Sequence, residues 1–301
     1  MTETTSGHEP AAAATVDRRN LFKRVGAGVA GAAAAASLAT GALSLTSAPA
    51  VAQSAGDANV FNFALNLEYL EAEYYLRGVT GSGLPSGLTS GAGFANTVTG
   101  GSLVPFQTPA LAYYFQRIAN DELAHVEFIR AVLGSAAVGE PAIDLMQSFT
   151  TVAIAAGLIV PGQTFNPFSS EVNFLVGAYI FEDVGVTAYA GAAASLTVPA
   201  NISYAASILA TEAYHSGGIR GFLSDIGGGA ATNAISALRA SLSGVGDNGT
   251  NYNGNPFNFV NADINAQAFR RTPSQVLRIV YGGGATGGAF FPRGVNGAIT
   301  S

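Results

Sequence analysis

The chain has 301 residues, a formal net charge of −6 and no cysteine. Disulfides, thiolate zinc sites, iron–sulfur clusters and c-type haem attachment are therefore excluded, and any metal must be held by oxygen and imidazole nitrogen. Lys23 is the single lysine, and beyond the first 24 residues the cations are a few scattered arginines, with no cluster of the kind that displaces counterions from nucleic acid.

The first element reads as an address. Arg18-Arg19 is followed by Asn20, Leu21, Phe22 and Lys23, then by an uncharged run over 25–56 rich in Ala, Gly, Ser and Leu. Ala50-Val51-Ala52 has the small-x-small form of a cleavage site. The segment 1–52 resembles a twin-arginine signal peptide. Its uncharged run is long enough to span a bilayer, so a permanent anchor is the competing reading. Weak hydrophobicity and the cleavage site favour removal. The expectation is a periplasmic or extracellular protein, exported already folded, without stable membrane insertion.

Apolar residues at helical spacing then predict a helix over 57–77, with Asp57 or Asn59 as its cap. Residues 78–106, rich in Gly, Ser and Thr, read as a long loop. A second helix is expected over 108–133, stopped by Gly134. A long connection over 134–169 contains "AIDLMQSFTTVAIAAGLIV", either another helix or a buried apolar run. A third long helix follows over 170–194, capped by Ser169 or Ser170, and a fourth over 201–225, ended by Gly227-Gly228-Gly229. The fold class is all-α: a four-helix bundle over 57–225 with one long crossover between its second and third helices. Beyond it, 226–301 is a Gly- and Asn-rich C-terminal extension. Its "TPSQVLRIVYG" reads as a short helix or strand and its Phe290-Phe291 as buried. Aromatic and aliphatic residues at this density predict an ordered wrap on the bundle rather than a disordered tail.

The two halves of the bundle repeat. "DELAHVEFIR" and "TEAYHSGGIR" share Glu-x-x-His with a trailing Ile-Arg: Glu122, His125, Ile129, Arg130 against Glu212, His215, Ile219, Arg220. "LEYLEAEYY" aligns with "FEDVGVTAY", which pairs Glu68 with Glu182 and Tyr75 with Tyr189. A glutamate and a histidine three apart share a helix face, and a tyrosine seven residues on returns to the face of its glutamate. Four carboxylates and two imidazoles can hold two iron or manganese ions, because the carboxylates balance the charge of two divalent cations. A single Glu-x-x-His is usually a surface pair; two copies, with glutamates at equivalent places on two further helices, are not.

Glu71 lies three residues after Glu68 on nearly the same face and is the alternative to it as a ligand. The repeat aligns Glu71 with Gly185 and so favours Glu68. Glu73 points elsewhere and is expected in solvent. Glu127 and Asp183 are expected either behind the ligands or on the surface, and Asp121 off the metal face, with a bond to a histidine as its alternative. Tyr75 and Tyr189 either line the site, donating a hydrogen bond or an electron, or are core aromatics. Arg130 and Arg220 either pair with acidic residues beyond the site or favour the nearby helix ends.

This order of Glu68, Glu122 with His125, Glu182, and Glu212 with His215 resembles the ligand pattern of the ferritin-like superfamily, as in bacterioferritins and rubrerythrins. The resemblance covers roughly 59–225. It implies that Glu122 and Glu212 bridge two metals, that Glu68 and Glu182 are terminal carboxylates, and that His125 and His215 each bind one metal. The export signal, "FRRTPSQVLRIVYG" and "GGAFFPRGVNG" are similar to the desiccation-related branch of that superfamily. The implied function is a dinuclear Fe or Mn site acting on peroxide or dioxygen in oxidative or desiccation stress. The alternatives are an envelope or desiccation-protective protein whose metals only stabilise the bundle, and iron sequestration. A homo-oligomer is compatible with the pattern, but the long 78–106 loop and the tail depart from cage-forming ferritins and argue against a closed cage. The missing cysteine removes the thiolate iron relay of rubrerythrin-type peroxidases.

Overall fold

The computed structural model describes residues 54–95 and 97–301, so the signal expected over 1–52 lies outside the described residues. Four long helices form the bundle: α1 (Ala55–Thr80), α2 (Pro109–Leu133), α4 (Glu171–Ala192) and α5 (Pro199–Asp225). A short helix, α3 (Gln147–Ala155), lies in the crossover between α2 and α4. Helix α1 packs mainly on α2, and α4 on α5. The Ser54 side chain accepts the Asp57 N–H at 3.1 Å, and Gly81, at φ 79, closes α1 by donating to the Arg77 carbonyl. Asp57 also fixes the start of α5, because its carboxylate accepts from Thr197 N (2.9 Å), Val198 N (3.1 Å) and Asn201 Nδ2 (2.8 Å).

The four helices are not equivalent. Helix α2 buries one stripe, with Leu111, Phe115, Ile118, Glu122, Val126, Ile129 and Leu133 at three- and four-residue spacing. Helix α1 buries every residue from Val60 to Leu76, and α4 every residue from Gly177 to Tyr189. A helix buried all round needs partners on its far side, and the crossover and the tail supply them. Asn62 Oδ1 accepts the Val138 N–H at 2.9 Å, and Asn66 Oδ1 accepts the Asn296 N–H at 2.9 Å. Strand β1 (Val98–Gly100) pairs in parallel with β2 (Ile143–Leu145), tying the α1–α2 loop to the crossover.

This covering corrects one expectation. Glu73, read as solvated, is 2% exposed; it pairs with Arg77 and accepts the Leu84 N–H at 2.7 Å. The face of α1 opposite the site is interior, so a polar residue there requires partners.

The tail contains two helices, α6 (Gly229–Ser243) and α7 (Pro273–Val280). Helix α6 was not foreseen. The three glycines read as a stop form a turn, with Gly227 at φ +78, and a new helix starts on the last of them. Helix α7 settles the open reading of "TPSQVLRIVYG". Thr272 and Gln275 form a reciprocal capping box, and Val276, Leu277, Ile279 and Val280 are buried. The tail backbone lies directly on α4, where Arg271 N donates to the Thr187 carbonyl at 3.0 Å. Gly191 makes that approach possible, since a Cβ there would sit 1.9 Å from the Arg271 carbonyl oxygen.

A buried ion network joins bundle and tail. Asp183 of α4 pairs with Arg220 of α5 (2.8 Å) and Arg239 of α6 (2.7 Å). Asp247 pairs with Arg239 and Arg271, each at 2.8 Å. Three arginines against two aspartates are tolerated because backbone carbonyls take the surplus donors, such as Asn248 and Gly249 from Arg220 Nη2. No helix among the described residues is long and apolar enough to cross a membrane.

Candidate metal centre

Helical register brings the repeated motif to one place. Glu122 and His125 face inward from α2, Glu212 and His215 from α5, Glu68 from α1 and Glu182 from α4. The four glutamates are at most 1% exposed, His215 3% and His125 9%. His125 Nδ1 lies 3.2 Å from Glu68 Oε2, 3.2 Å from Glu122 Oε2 and 3.5 Å from Glu212 Oε1. His215 Nδ1 lies 2.9 Å from Glu122 Oε1 and 3.4 Å from Glu182 Oε2.

The side chains divide into two overlapping sets. Glu68, Glu122, His125 and Glu212 each offer one ligand atom within 4.8 Å of the others, and so do Glu122, Glu182, Glu212 and His215. Glu122 and Glu212 belong to both. The tyrosines cross between halves: Tyr75 donates to Glu182 Oε1 and Tyr189 to Glu68 Oε1. Each hydroxyl holds one oxygen of its glutamate. Both tyrosines are also buried core aromatics, so the two readings of them coexist.

Glu71 and Glu68 are both inside. Glu71 is 5% exposed and lies beside the other carboxylates. The glycine opposite it in the repeat makes room for Glu212. A Cβ at Gly185 would fall 2.3 Å from Glu212 Oε2 and 3.4 Å from Glu71 Oε1. Asp121 also approaches the site, with Oδ2 3.2 Å from His215 Nε2. Asp183 is buried in the ion network, and Arg220 pairs with it there. Arg130 instead donates to the Tyr69 hydroxyl and the Val138 carbonyl. Glu127 is half-buried on α2.

Five carboxylates buried this close together oppose one another's ionisation. Burial, followed by the neighbouring carboxylates, pushes Glu212 and Glu71 well above the usual carboxylate range. Burial raises Glu68 to about 7 although His125 opposes it. Burial also acts to raise Glu122, but His125 and His215 outweigh it and hold that carboxyl low. Burial disfavours charge on both imidazoles, yet the glutamates around them raise both. Glu122 Oε1, Glu182 Oε2, both Glu212 oxygens and His215 Nδ1 are buried without a well-aligned hydrogen bond, the close approach of His215 Nδ1 to Glu122 Oε1 included. Such atoms are costly unless something binds them. Hard oxygens and imidazole nitrogens converging in this way fit divalent iron or manganese.

Residues 56–225 match the family described as the ferritin-like domain. The chain belongs to the ferritin-like family. Two curated relatives cover most of this ferritin-like protein. The desiccation-related protein PCC13-62 of Craterostigma plantagineum is 31% identical over 73% of this chain and 76% of its own. The ferritin-like catalase Nec2 of Nesocodon mauritianus is 27% identical over 81% of this chain and 84% of its own. No solved structure matches the chain significantly. The relatives place it in the desiccation-related branch and agree with a buried carboxylate–histidine cluster able to bind metal.

Proposed function

We propose that this exported protein holds two iron or manganese ions between Glu68, Glu122, His125, Glu182, Glu212 and His215, and decomposes peroxide. The observation that carries the reading is the pair of ligand sets sharing Glu122 and Glu212. Held by these residues, two such ions would supply a shared two-electron change, the chemistry that lets one peroxide be oxidised to dioxygen while a second is reduced to two waters. Disproportionation needs no outside reductant, which suits a chain without cysteine to carry an electron relay. The relative named a ferritin-like catalase supports the same chemistry.

The protein's own residues have distinct tasks. Tyr75 and Tyr189 anchor the outer oxygens of Glu182 and Glu68, leaving the other oxygens directed inward. Buried apolar neighbours such as Phe115, Ile118 and Ile129 exclude water from the cluster. The His125 side chain keeps 11% of its surface exposed, which gives a small polar molecule a place to arrive. Arg18-Arg19 and Ala50-Val51-Ala52 support action outside the cytoplasm. A second reading, metals as staples in a protein that protects during drying, draws on the relative named desiccation-related.

Elemental analysis and a dioxygen electrode test both readings. About two iron or manganese ions per chain, with one dioxygen released for every two peroxides consumed, is the expected result. Two ions without dioxygen would leave the staple reading. No metal after reconstitution with both ions would overturn the proposal.

A further inference from the structure

The internal repeat is imperfect at one position beside the site. Asp121 precedes Glu122, whereas Thr211 precedes Glu212. Asp121 reaches across the bundle to the histidine of the other half, with Oδ2 3.2 Å from His215 Nε2. Its carboxylate is held in turn by Arg117, at 2.7 Å. Thr211 does not return the contact, because its hydroxyl donates back along its own helix to the Ser207 carbonyl at 3.3 Å. Among the described residues, the carboxylates that come within 4 Å of His125 all do so at Nδ1, the side facing the cluster. The His125 side chain is also more open, 11% against 4% for His215.

We propose that the two metal positions are inequivalent, and that Asp121 is the positioning residue that makes the His215 position the tighter one. This rests on the dinuclear reading above. A carboxylate can only accept, so Asp121 takes the Nε2 edge of His215 and turns the Nδ1 edge toward Glu122 and Glu182. The same contact fixes the ring plane and raises the basicity of the imidazole. Among the described residues no carboxylate stands behind His125 on its Nε2 side, so its ring lacks this outer anchor. The His215 position then fills first, and the His125 position is the looser and more accessible of the two.

The test is titration of metal-free mature protein with Co²⁺, followed by its visible absorption and by calorimetry. Wild type is expected to bind two ions in two resolved steps. Asp121→Asn should weaken the tighter step by roughly 10–100-fold and merge the two, and Asp121→Glu should restore part of the gap. His125→Ala should keep the tight step and lose the weak one. Thr211→Asp should tighten the weaker step, which a merely structural role for Asp121 would not produce. Two equal steps in wild type, or Asp121→Asn constants within threefold of wild type, would overturn the inference while leaving the dinuclear reading standing. No binding by wild type would overturn both.

Discussion

Gly185 separates the demands of the fold from those of the site. It sits inside α4 with ordinary helical backbone, so alanine is conformationally acceptable there. On propensity alone, Gly185→Ala should stabilise the helix by about 0.8–1 kcal/mol. For a domain of this size that raises Tm by roughly 2–4 °C. The new methyl, however, would lie 2.3 Å from Glu212 Oε2 and 3.1 Å from its carboxyl carbon. Ordinary contact requires the carboxylate to withdraw by about 1 Å. The displaced group is the end of a flexible side chain, so the metal-free fold tolerates the move. The ligand sets do not, because Glu212 belongs to both. A metal site loosened by about 1 Å loses at least tenfold in affinity, or about 1.4 kcal/mol. The expected signature is a pair of opposite changes: metal-free Tm rises, and the further rise on adding Mn²⁺ shrinks. Calorimetric scans with and without metal, together with a competition titration, read both quantities. Affinity within threefold of wild type, or a metal-free protein destabilised by more than about 1 kcal/mol, would refute the reasoning.

Two further perturbations address the covering layer. Asp183→Ala removes the carboxylate shared by Arg220 and Arg239 and should cost roughly 3–5 kcal/mol in urea unfolding, whereas a loss below about 1 kcal/mol would show the network to be dispensable. Glu140 is 4% exposed, and burial followed by the adjacent Glu73 carboxylate pushes it up to about 8. A carboxyl raised above its unfolded value near 4.3 adds stability that is fully present below that pH and is lost as pH climbs toward 8, at up to about 1.4 kcal/mol per unit. Glu140→Gln should therefore flatten the fall in Tm between pH 5 and 8, and parallel profiles for the two proteins would contradict this assignment.

The groups that converge on the site share a simple geometric rule. Helical spacing puts Glu122 with His125, and Glu212 with His215, on one face each, and a second turn carries Tyr75 and Tyr189 back to the faces of Glu68 and Glu182. Periodicity could show that much within each helix, and comparison of the halves supplied the rest. Contacts between helices have no such period. Nothing in the spacing says that Asp121 meets His215 or that Tyr75 crosses to Glu182. Glu71 shares the face of Glu68 by spacing, and the repeat, which pairs it with Gly185, favours Glu68; spacing alone does not show that both carboxyls lie inside. Glu73 lies on the α1 face that spacing leaves to water, and its cover comes from outside the helix: Leu84 in the following loop binds it, and Val138 and Asn296 cap Asn62 and Asn66 on the same helix. Helix α6 was missed because three glycines look alike whether they end a helix or turn into the next one.

The family match stops at residue 225, but the buried charges do not. Asp183 and Arg220 belong to the matched region, while Arg239, Asp247 and Arg271 lie beyond it. The tail thus resembles a partner subunit that has been made permanent by a covalent tether. It brings its own charged interface, desolvates it against α4 and cannot dissociate on dilution. What the family model leaves out is, in this chain, half of a buried charged interface. The buried charge network ties the helices that carry Glu182, Glu212 and His215 to a segment beyond the matched domain.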